Sequence, residues 1–187
     1  VLEPYLASIV MGGGALKRGG SEALKREMLP GVIEGSLQLA FAYAEIQSRF
    51  DLDDVMTSAR KEGENFILNG QKSMVQNAET ADQIVVTART SGGQIGQQGI
   101  TLFLIAADAE GLTRDNFPTV DGLRASEITL ENVCVGPERI LGKVDQGFNI
   151  LQSVANDAML ALGAEAVGAM EVLYKDTVDY TQQREQF

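Results

Sequence analysis

Residues Gly63 to Thr90, GENFILNGQKSMVQNAETADQIVVTART, contain the clearest strand pattern of this chain. An apolar run over Phe66–Leu68 is followed by Asn69-Gly70, a pair that accepts the positive φ angles of a tight two-residue hairpin. A second strand is predicted from Gln71 to Val75, and the β-branched run at 84–88 predicts a third. Three strands within one short stretch require a sheet, which the rest of the chain must supply.

The composition is that of an ordinary globular chain with a strong negative charge. Of the 187 residues, 44% are hydrophobic and 22% are charged, and the formal net charge is -11. This charge argues against nucleic acid and against anionic membrane surfaces as partners. Cys134 is the only cysteine, so no intrachain disulfide can form and a reducing cytoplasm is the expected location. Because the sequence has no histidine, we expect no metal site.

The first 36 residues are predicted to be helical. Ser21 is a good N-cap, and the helix after it is expected to run to Met28. It should stop before Pro30, because proline disfavours helical geometry in the residue before it. Gly35 then closes the element, and the pattern changes to that of strands.

From Leu37 to Leu141 the pattern predicts about seven short strands separated by turns, which is typical of a β-barrel or sandwich. The glycine-rich segment Ser91 to Gly99 is predicted to be a flexible surface loop. Within the strands, Cys134 is expected to be an inert core thiol, and Arg124 is expected to join strands through a salt bridge. Beyond Gly142 helical spacing returns and continues to the end of the chain.

Several motifs resemble those of the flavin-dependent acyl-CoA dehydrogenases. The middle of the chain contains Leu68-Asn69-Gly70-Gln71-Lys72 and Ala88-Arg89-Thr90. A Gly-x-Arg-x-Ser strand follows at 122–126, and a Leu-Gly-x-x-x-x-Gly motif follows at 141–147. The last four residues, Arg184-Glu185-Gln186-Phe187, are similar to the family's Arg-x-Gln-Phe motif. The resemblance covers the whole chain, and we expect the sequence to be part of a longer protein.

The resemblance implies an α+β fold in which an antiparallel β-barrel middle domain is flanked by helices of an N-terminal and a C-terminal helical domain. The expected boundaries are 1–36 for the end of the N-terminal helical domain, 37–141 for the β-barrel, and 142–187 for the start of the C-terminal helical domain. The tracts Ser48–Leu52 and Thr177–Tyr180 resemble the small subunits of the pimeloyl-CoA dehydrogenase type. Such subunits pair with a second, related subunit.

The implied activity is FAD-dependent α,β-dehydrogenation of an acyl-CoA thioester, as in the β-oxidation of fatty acids. In this reaction a carboxylate removes the α-proton and hydride passes from the β-carbon to the flavin. The implied partners are an acyl-CoA substrate, an electron-transfer flavoprotein or similar acceptor, and further subunits of a homo- or heterotetramer. Two alternatives stay open. One is a non-catalytic subunit that completes another chain's flavin and substrate sites, and the other is a β-barrel binding module with no flavin role.

The resemblance implies flavin contacts on two strands, at positions where this sequence departs from the family. On the first strand, Ala44 stands where the family has a threonine. On the second strand, Met74 replaces the family's tryptophan and Gln76 replaces its threonine. The glutamine amide can take the place of a hydroxyl as a hydrogen-bond donor. Arg184 is implied to reach the flavin pyrophosphate of a neighbouring subunit. The candidate cofactor residues are Tyr43, Ala44, Val75, Gln76 and Arg184.

The positions of the substrate-binding residues and of the catalytic base depart further from the family pattern. Arg49 and Phe50 replace the family's Gly-Ser pair and are the candidate substrate-binding residues. Arg49 is a candidate for a coenzyme A phosphate or an acidic acyl terminus, and a surface arginine is the alternative. On the C-terminal helix, the family's Glu-Arg pair falls on Ala158-Met159, neither of which accepts a proton. Asp157 and Glu165 are the nearby candidate bases, and otherwise the base is expected beyond Phe187 or in a partner subunit.

Overall fold

The structure is a computed structural model that describes residues 4–186. Its helical elements are a π-helix (Tyr5–Gly13), α1 (Gly14–Gly19), α2 (Glu22–Glu34), a short 3₁₀ turn (Pro137–Arg139) and α3 (Phe148–Gln183). Its strands are β1 (Leu39–Ala42), β2 (Ser58–Glu62), β3 (Asn65–Gln76), β4 (Gln83–Arg89), β5 (Ile100–Ala106), β6 (Leu112–Pro118), β7 (Arg124–Val135) and β8 (Ile140–Leu141).

The strands form one mixed sheet in the order β6-β7-β3-β2-β4-β5-β8, with β1 paired to β4. Most neighbours are antiparallel, but β1 and β2 both meet β4 in parallel. Within the described residues the sheet is open, with β6 and β8 at its two ends. The expected closed antiparallel barrel is therefore wrong. Since β8 contributes only two residues, it is too short to continue the hydrogen-bonded ladder round to β6.

The hairpin that opens the sheet lies at Gly63-Glu64, between β2 and β3, and the prediction of a hairpin at Asn69-Gly70 was wrong. Asn69-Gly70 lies inside β3, where the register against β7 shifts after Leu68. Gly70 has φ +151°, and a Cβ there would lie 2.6 Å from the Cα of Thr57. The glycine therefore permits a close approach of two backbones within the sheet.

Helix α2 begins and ends as predicted, but it does not stop at the proline. A backbone N–H of its first turn donates to Ser21 Oγ at 3.1 Å, and Gly35 follows its last turn with φ 76°. Pro30 lies inside the helix. Met28 and Val32, on either side of the proline, are both buried. This packing offsets the hydrogen bond that proline cannot make.

Two hydrophobic clusters lie on the two faces of the sheet. The first is built from strand residues, including Leu68, Val86 and Phe103. The second lies between the sheet and the helices, where it buries Leu16 and Val154. Their separation follows from strand alternation, because successive side chains point to opposite faces.

Helix α3 is covered only over its first turns. Leu151, Val154 and Ala158 are buried, whereas none of the described residues from Met159 to Gln183 is. Exposed apolar side chains follow one another along this part of the helix, including Met159, Leu162, Val167, Met170 and Leu173. An apolar surface of this length on a helix is the kind that another chain segment covers.

The loop from Ser91 to Gly99 is held in place by one buried side chain. The guanidinium of Arg89 donates to four backbone carbonyl oxygens at 2.7–2.9 Å, those of Asp53, Gln94, Gly96 and Gln98. Arg89 thus joins this loop to the segment before β2. The predicted flexible loop is anchored, because the arginine satisfies carbonyl groups that a glycine-rich loop cannot pair internally.

The prediction of a buried thiol at Cys134 was wrong. Cys134 is exposed, while Val133 and Val135 on either side of it are buried. The three residues lie in β7, where side chains alternate between the two faces of the sheet. The valines take the inward positions, so the cysteine between them points outward.

Candidate active site

A cavity of about 700 Å³ lies where the end of β3 meets the helices. Its walls come from the start of the π-helix, the turn after β3, the loop before β7 and the middle of α3. Gln76, on the strand that is predicted to contact the flavin second, and Glu165 on α3 both line it. These two residues lie far apart in the sequence, and only the fold brings them to one cavity.

The charged part of the cavity wall is organised by arginines. Arg124, the first residue of β7, donates through Nε to the carboxylate of Glu79. The predicted salt bridge is present, but it joins β7 to the turn after β3 and not to another strand. Arg114 donates to the backbone carbonyl oxygen of Ala78 at 2.7 Å, which fixes the turn after β3. These contacts hold the turn against β6 and the start of β7.

The loop before β7 contributes one acidic residue, Asp121, to the cavity wall. Hydrogen bonds from the Thr119 hydroxyl and the Leu123 amide lower the pKa of Asp121. The carboxylate is therefore ionised at neutral pH.

The two predicted flavin strands lie side by side. The amide of Ser73 donates to the carbonyl oxygen of Ala44 at 2.9 Å, which joins the segment after β1 to β3. Met74 follows with φ 53° and a side chain that is 52% exposed. Gln76 is also exposed, whereas Val75 between them is buried in the core. Val75 can therefore offer a cofactor only its backbone.

A buried ion pair lies directly beneath these strands. Lys72 Nζ lies 2.7 Å from Glu45 Oε1 and donates to Thr87 Oγ1 at 2.9 Å. The Glu45 carboxylate also accepts hydrogen bonds from the amides of Met56 (2.7 Å) and Thr57 (3.0 Å). The network ties the loop after β1 to β3 and β4, so it fixes the backbone that carries the flavin candidates.

Both members of the pair are charged at neutral pH. Burial raises the pKa of Glu45, but the charge of Lys72 and the hydrogen bonds outweigh it and leave the pKa at about 2. Burial lowers the pKa of Lys72 to about 8, although the charge of Glu45 opposes this.

The pair of Lys72 and Glu45 was not predicted from the sequence. One signal was present: Lys72 continues the inward alternation of Phe66 and Leu68 along β3, and a lysine at an inward position requires a counter-charge. Nothing in the sequence itself identified Glu45 as that counter-charge.

The remaining candidates lie outside the cavity. Tyr43 is half-buried, with its ring 5.7 Å from that of Phe41. Arg49 and Phe50 are exposed in the loop after β1, Phe50 almost completely. None of these residues lines the cavity. The structure therefore separates the candidate substrate residues from the cavity that Gln76 and Glu165 share.

Two charged candidates, Asp157 on α3 and Arg184 directly after it, have local partners. Asp157 lies 2.5 Å from the guanidinium of Arg18 on α1, so its charge is paired with a cation. The Arg184 guanidinium donates to the Tyr180 hydroxyl and lies 5.5 Å from the centre of its ring. Neither residue lines the cavity.

The residues at the end of β3 fit a flavin ring. The exposed thioether of Met74 is a soft apolar surface of the kind that packs against aromatic rings. The exposed amide of Gln76 offers donors and an acceptor to the polar edge of such a ring. Ala44, held beside them through Ser73, offers only its methyl group and backbone. The donor set is smaller than the family pattern implies, but it suits a flat ring with one polar edge.

Comparison with known proteins identifies the family. Residues 40–133, half of the chain, match the model of the acyl-CoA dehydrogenase middle domain. The chain therefore belongs to the acyl-CoA dehydrogenase family, whose members are FAD-dependent oxidoreductases.

Individual relatives agree with this assignment. A 3-(aryl)acrylate reductase of Clostridium sporogenes is 34% identical over 172 residues, which cover 90% of this chain and 45% of that protein. The CarC subunit of a caffeyl-CoA reductase-Etf complex of Acetobacterium woodii is 28% identical, over 100% of this chain and 50% of that protein. The structure of butyryl-CoA dehydrogenase from Megasphaera elsdenii matches with a TM-score of 0.90 and 27% identity, over 97% of this chain and 48% of that one. The chain thus spans about half the length of the relatives it matches.

Among residues 4–186, no helix is both long enough and apolar enough to cross a membrane. In the same residues, no group of three or more histidine, cysteine, aspartate or glutamate side chains is placed to hold a metal ion.

Proposed function

We propose that the full-length protein catalyses the FAD-dependent α,β-dehydrogenation of an acyl-CoA thioester. The observation that carries this proposal is the cavity at the end of β3, because Gln76 belongs both to its wall and to the second flavin strand. A ligand in the cavity would therefore lie next to a flavin bound at the same strand. Membership of the acyl-CoA dehydrogenase family supports the reaction class.

In this proposal the chain holds and orients the reacting groups. When bound, FAD supplies the acceptor for the hydride that leaves the substrate β-carbon. Gln76 would donate from its amide to the polar edge of the ring, and Met74 would pack against its face. The buried pair of Glu45 and Lys72 keeps these backbone positions in place before substrate arrives.

The proton acceptor is proposed to lie beyond Phe187 in the full-length protein or in a partner subunit. Ala158, which occupies the family's base position on α3, has no group that takes a proton. Asp157 is paired with Arg18 and does not line the cavity. Glu165 does line the cavity, but it lies seven residues beyond Ala158 on α3. This separation corresponds to about 10 Å along the helix axis.

The proposed partners follow from the exposed part of α3 and from the relatives. The apolar surface beyond Ala158 suits burial against further helices of the same protein or of another subunit, in a homo- or heterotetramer. The Etf complex in the name of the Acetobacterium woodii relative supports an electron-transfer flavoprotein as the electron acceptor. The similarity to pimeloyl-CoA dehydrogenase small subunits stays a prediction.

The test uses the purified full-length protein with bound FAD, mixed without oxygen with a series of acyl-CoA thioesters. We expect the flavin absorbance to fall and an enoyl-CoA product to appear. If the flavin stays oxidised with every thioester, the proposal is wrong. If turnover appears only after co-purification with a second subunit, and that subunit alone binds the FAD that becomes reduced, the non-catalytic alternative is the correct one.

A further inference from the structure

A β-bulge near the end of β3 turns the side chain of Met74 outwards. The register of β3 against β7 shifts between Lys72 and Val75. Within this shift two residues of β3, Ser73 and Met74, lie opposite one residue of β7, Glu127. Lys72 and Val75 are both buried, although residues three apart in a regular strand point to opposite faces. In a regular strand Met74 would share the inward face of Lys72, whereas here its side chain is 52% exposed.

The carboxylate of Glu127 closes this bulge. Its Oε1 accepts hydrogen bonds from the Ser73 hydroxyl at 2.9 Å and from the Met74 amide at 3.3 Å. Both donors belong to the two bulged residues, where the regular ladder is interrupted. The amide of Ser73 donates the other way, to the carbonyl oxygen of Ala44 at 2.9 Å. The bulge is thus held between a side chain of β7 and the segment after β1.

The backbone of Met74 has a conformation that methionine rarely adopts. Its φ of 53° lies in the left-handed region, which is unfavourable for a residue with a side chain. Such a conformation persists only where the surrounding contacts impose it. The hydrogen bond from the Met74 amide to Glu127 is a contact of this kind. The direction of the Met74 thioether therefore depends on Glu127.

We propose that Glu127 is a positioning residue for the flavin, because it closes the bulge that holds the Met74 side chain against the face of the ring. This inference rests on the proposed function, since it takes Met74 as a flavin contact. Glu127 acts through Met74: without its carboxylate the bulge relaxes and the thioether leaves the ring. The two residues therefore contribute to FAD binding as one unit, which makes their effects non-additive.

A double-mutant cycle on FAD binding to the full-length apoprotein tests this dependence. Met74→Ala should raise the dissociation constant for FAD about 2- to 12-fold, through the loss of one sulfur–aromatic contact. Glu127→Ala should raise it by a similar factor and should shift the visible absorbance bands of the bound flavin in the same direction. In the double variant the constant should stay within about twofold of that of the weaker-binding single variant.

Two further variants separate positioning from a general loss of structure. Glu127→Gln keeps an oxygen acceptor at this position and should restore the wild-type constant and spectrum. The matched control Glu131→Ala removes an exposed acid of the same strand outside the bulge and should leave both unchanged. If Glu127→Ala does not fold, Ser73→Ala takes its place in the cycle, because it removes only one of the two donors.

The outcomes separate this inference from the proposed function. Single-variant factors that multiply in the double variant overturn the inference, because Glu127 would then act independently of Met74. An unchanged constant and spectrum in Glu127→Ala overturn it as well. A non-additive cycle in a protein whose flavin stays oxidised with every thioester supports the inference and refutes the proposed reaction. Flavin reduction by a thioester together with an additive cycle overturns the inference alone.

Discussion

The ammonium of Lys72 lies 2.7 Å from Glu45 Oε1, and the two side chains are 0% and 3% exposed. The pair joins the loop after β1 to the strand that ends at the cavity. Two opposite charges that are buried together lose their hydrogen bonds to water. The amides of Met56 and Thr57 replace some of these bonds by donating to the Glu45 carboxylate. The position of the loop after β1 therefore depends on both the Glu45 and the Lys72 side chains.

Removing one partner should destabilise the protein strongly. In Lys72→Met the buried carboxylate of Glu45 loses its counter-charge, and we expect a loss of about 3–5 kcal/mol in the free energy of unfolding. Urea denaturation measures this loss. The control is Lys175→Met, which breaks an exposed pair with Glu171 and should cost less than about 1 kcal/mol. Equal losses in the two variants would contradict the structural role of the buried pair.

The same pair predicts how stability depends on pH. The folded-state pKa of Glu45 is lowered from 4.5 to about 2, so its contribution is complete above pH 4.5 and is lost as the pH falls towards 2. Glu45→Gln has no such carboxylate. The difference in unfolding free energy between wild type and this variant should therefore shrink by up to about 3 kcal/mol across that interval. A difference that stays constant from pH 5 to pH 2 would show that the pKa of Glu45 is not lowered.

Gly70 should be intolerant of any side chain. Gly70→Ala combines a φ of +151° with a Cβ 2.6 Å from the Thr57 backbone, and we expect a loss of roughly 2–5 kcal/mol in unfolding free energy. Gly63→Ala is the matched control, because Gly63 also has positive φ but no atom near its Cβ position. Its cost should be about 1–2 kcal/mol, from backbone strain alone. The comparison separates the cost of the steric contact with Thr57 from the cost of backbone strain. Equal losses in the two variants would argue against the contact.

Arg89 should control the mobility of the loop Ser91–Gly99. In Arg89→Met the four carbonyl hydrogen bonds are lost, and the amides of Val55 and Gly96 should exchange with deuterium more rapidly. Hydrogen-exchange mass spectrometry measures the change. Arg60→Met, which removes an exposed arginine paired with Glu62, serves as the control and should leave the loop unchanged. Unaltered exchange in Arg89→Met would mean that the loop is held by other contacts.

Gln76 should contribute one hydrogen bond to flavin binding. Gln76→Ala is expected to raise the dissociation constant for FAD about 2- to 12-fold, the equivalent of one neutral hydrogen bond of about 0.5–1.5 kcal/mol. Fluorescence titration of the full-length apoprotein gives this constant. Gln71→Ala, also exposed on β3 but outside the cavity lining, should leave it unchanged. An effect of the same size in both variants would place the flavin elsewhere.

The sequence was sufficient to predict those features that depend on one residue or one short run of residues. The cap at Ser21 and the ending at Gly35 were predicted correctly, because each depends on the chemistry of one residue next to a helix. Strand β4, Gln83–Arg89, lies over the β-branched run at 84–88 that predicted it, since a buried β-branched run needs no partner to be recognised. The Asn69-Gly70 hairpin was wrong because the pairing of β3 with β7 keeps that segment extended.

The family and the alternation of helical and strand regions could be predicted from the sequence, because short motifs carry both; the flavin contacts at the end of β3 stay a prediction. Three features required the folded structure: the open sheet of the described residues, the pairing of Lys72 with Glu45, and the cavity that Gln76 and Glu165 share. These are contacts between segments far apart in the chain, and their strength depends on burial and distance. A side chain shows its chemistry in the sequence, but its partner and its exposure to water are set by packing.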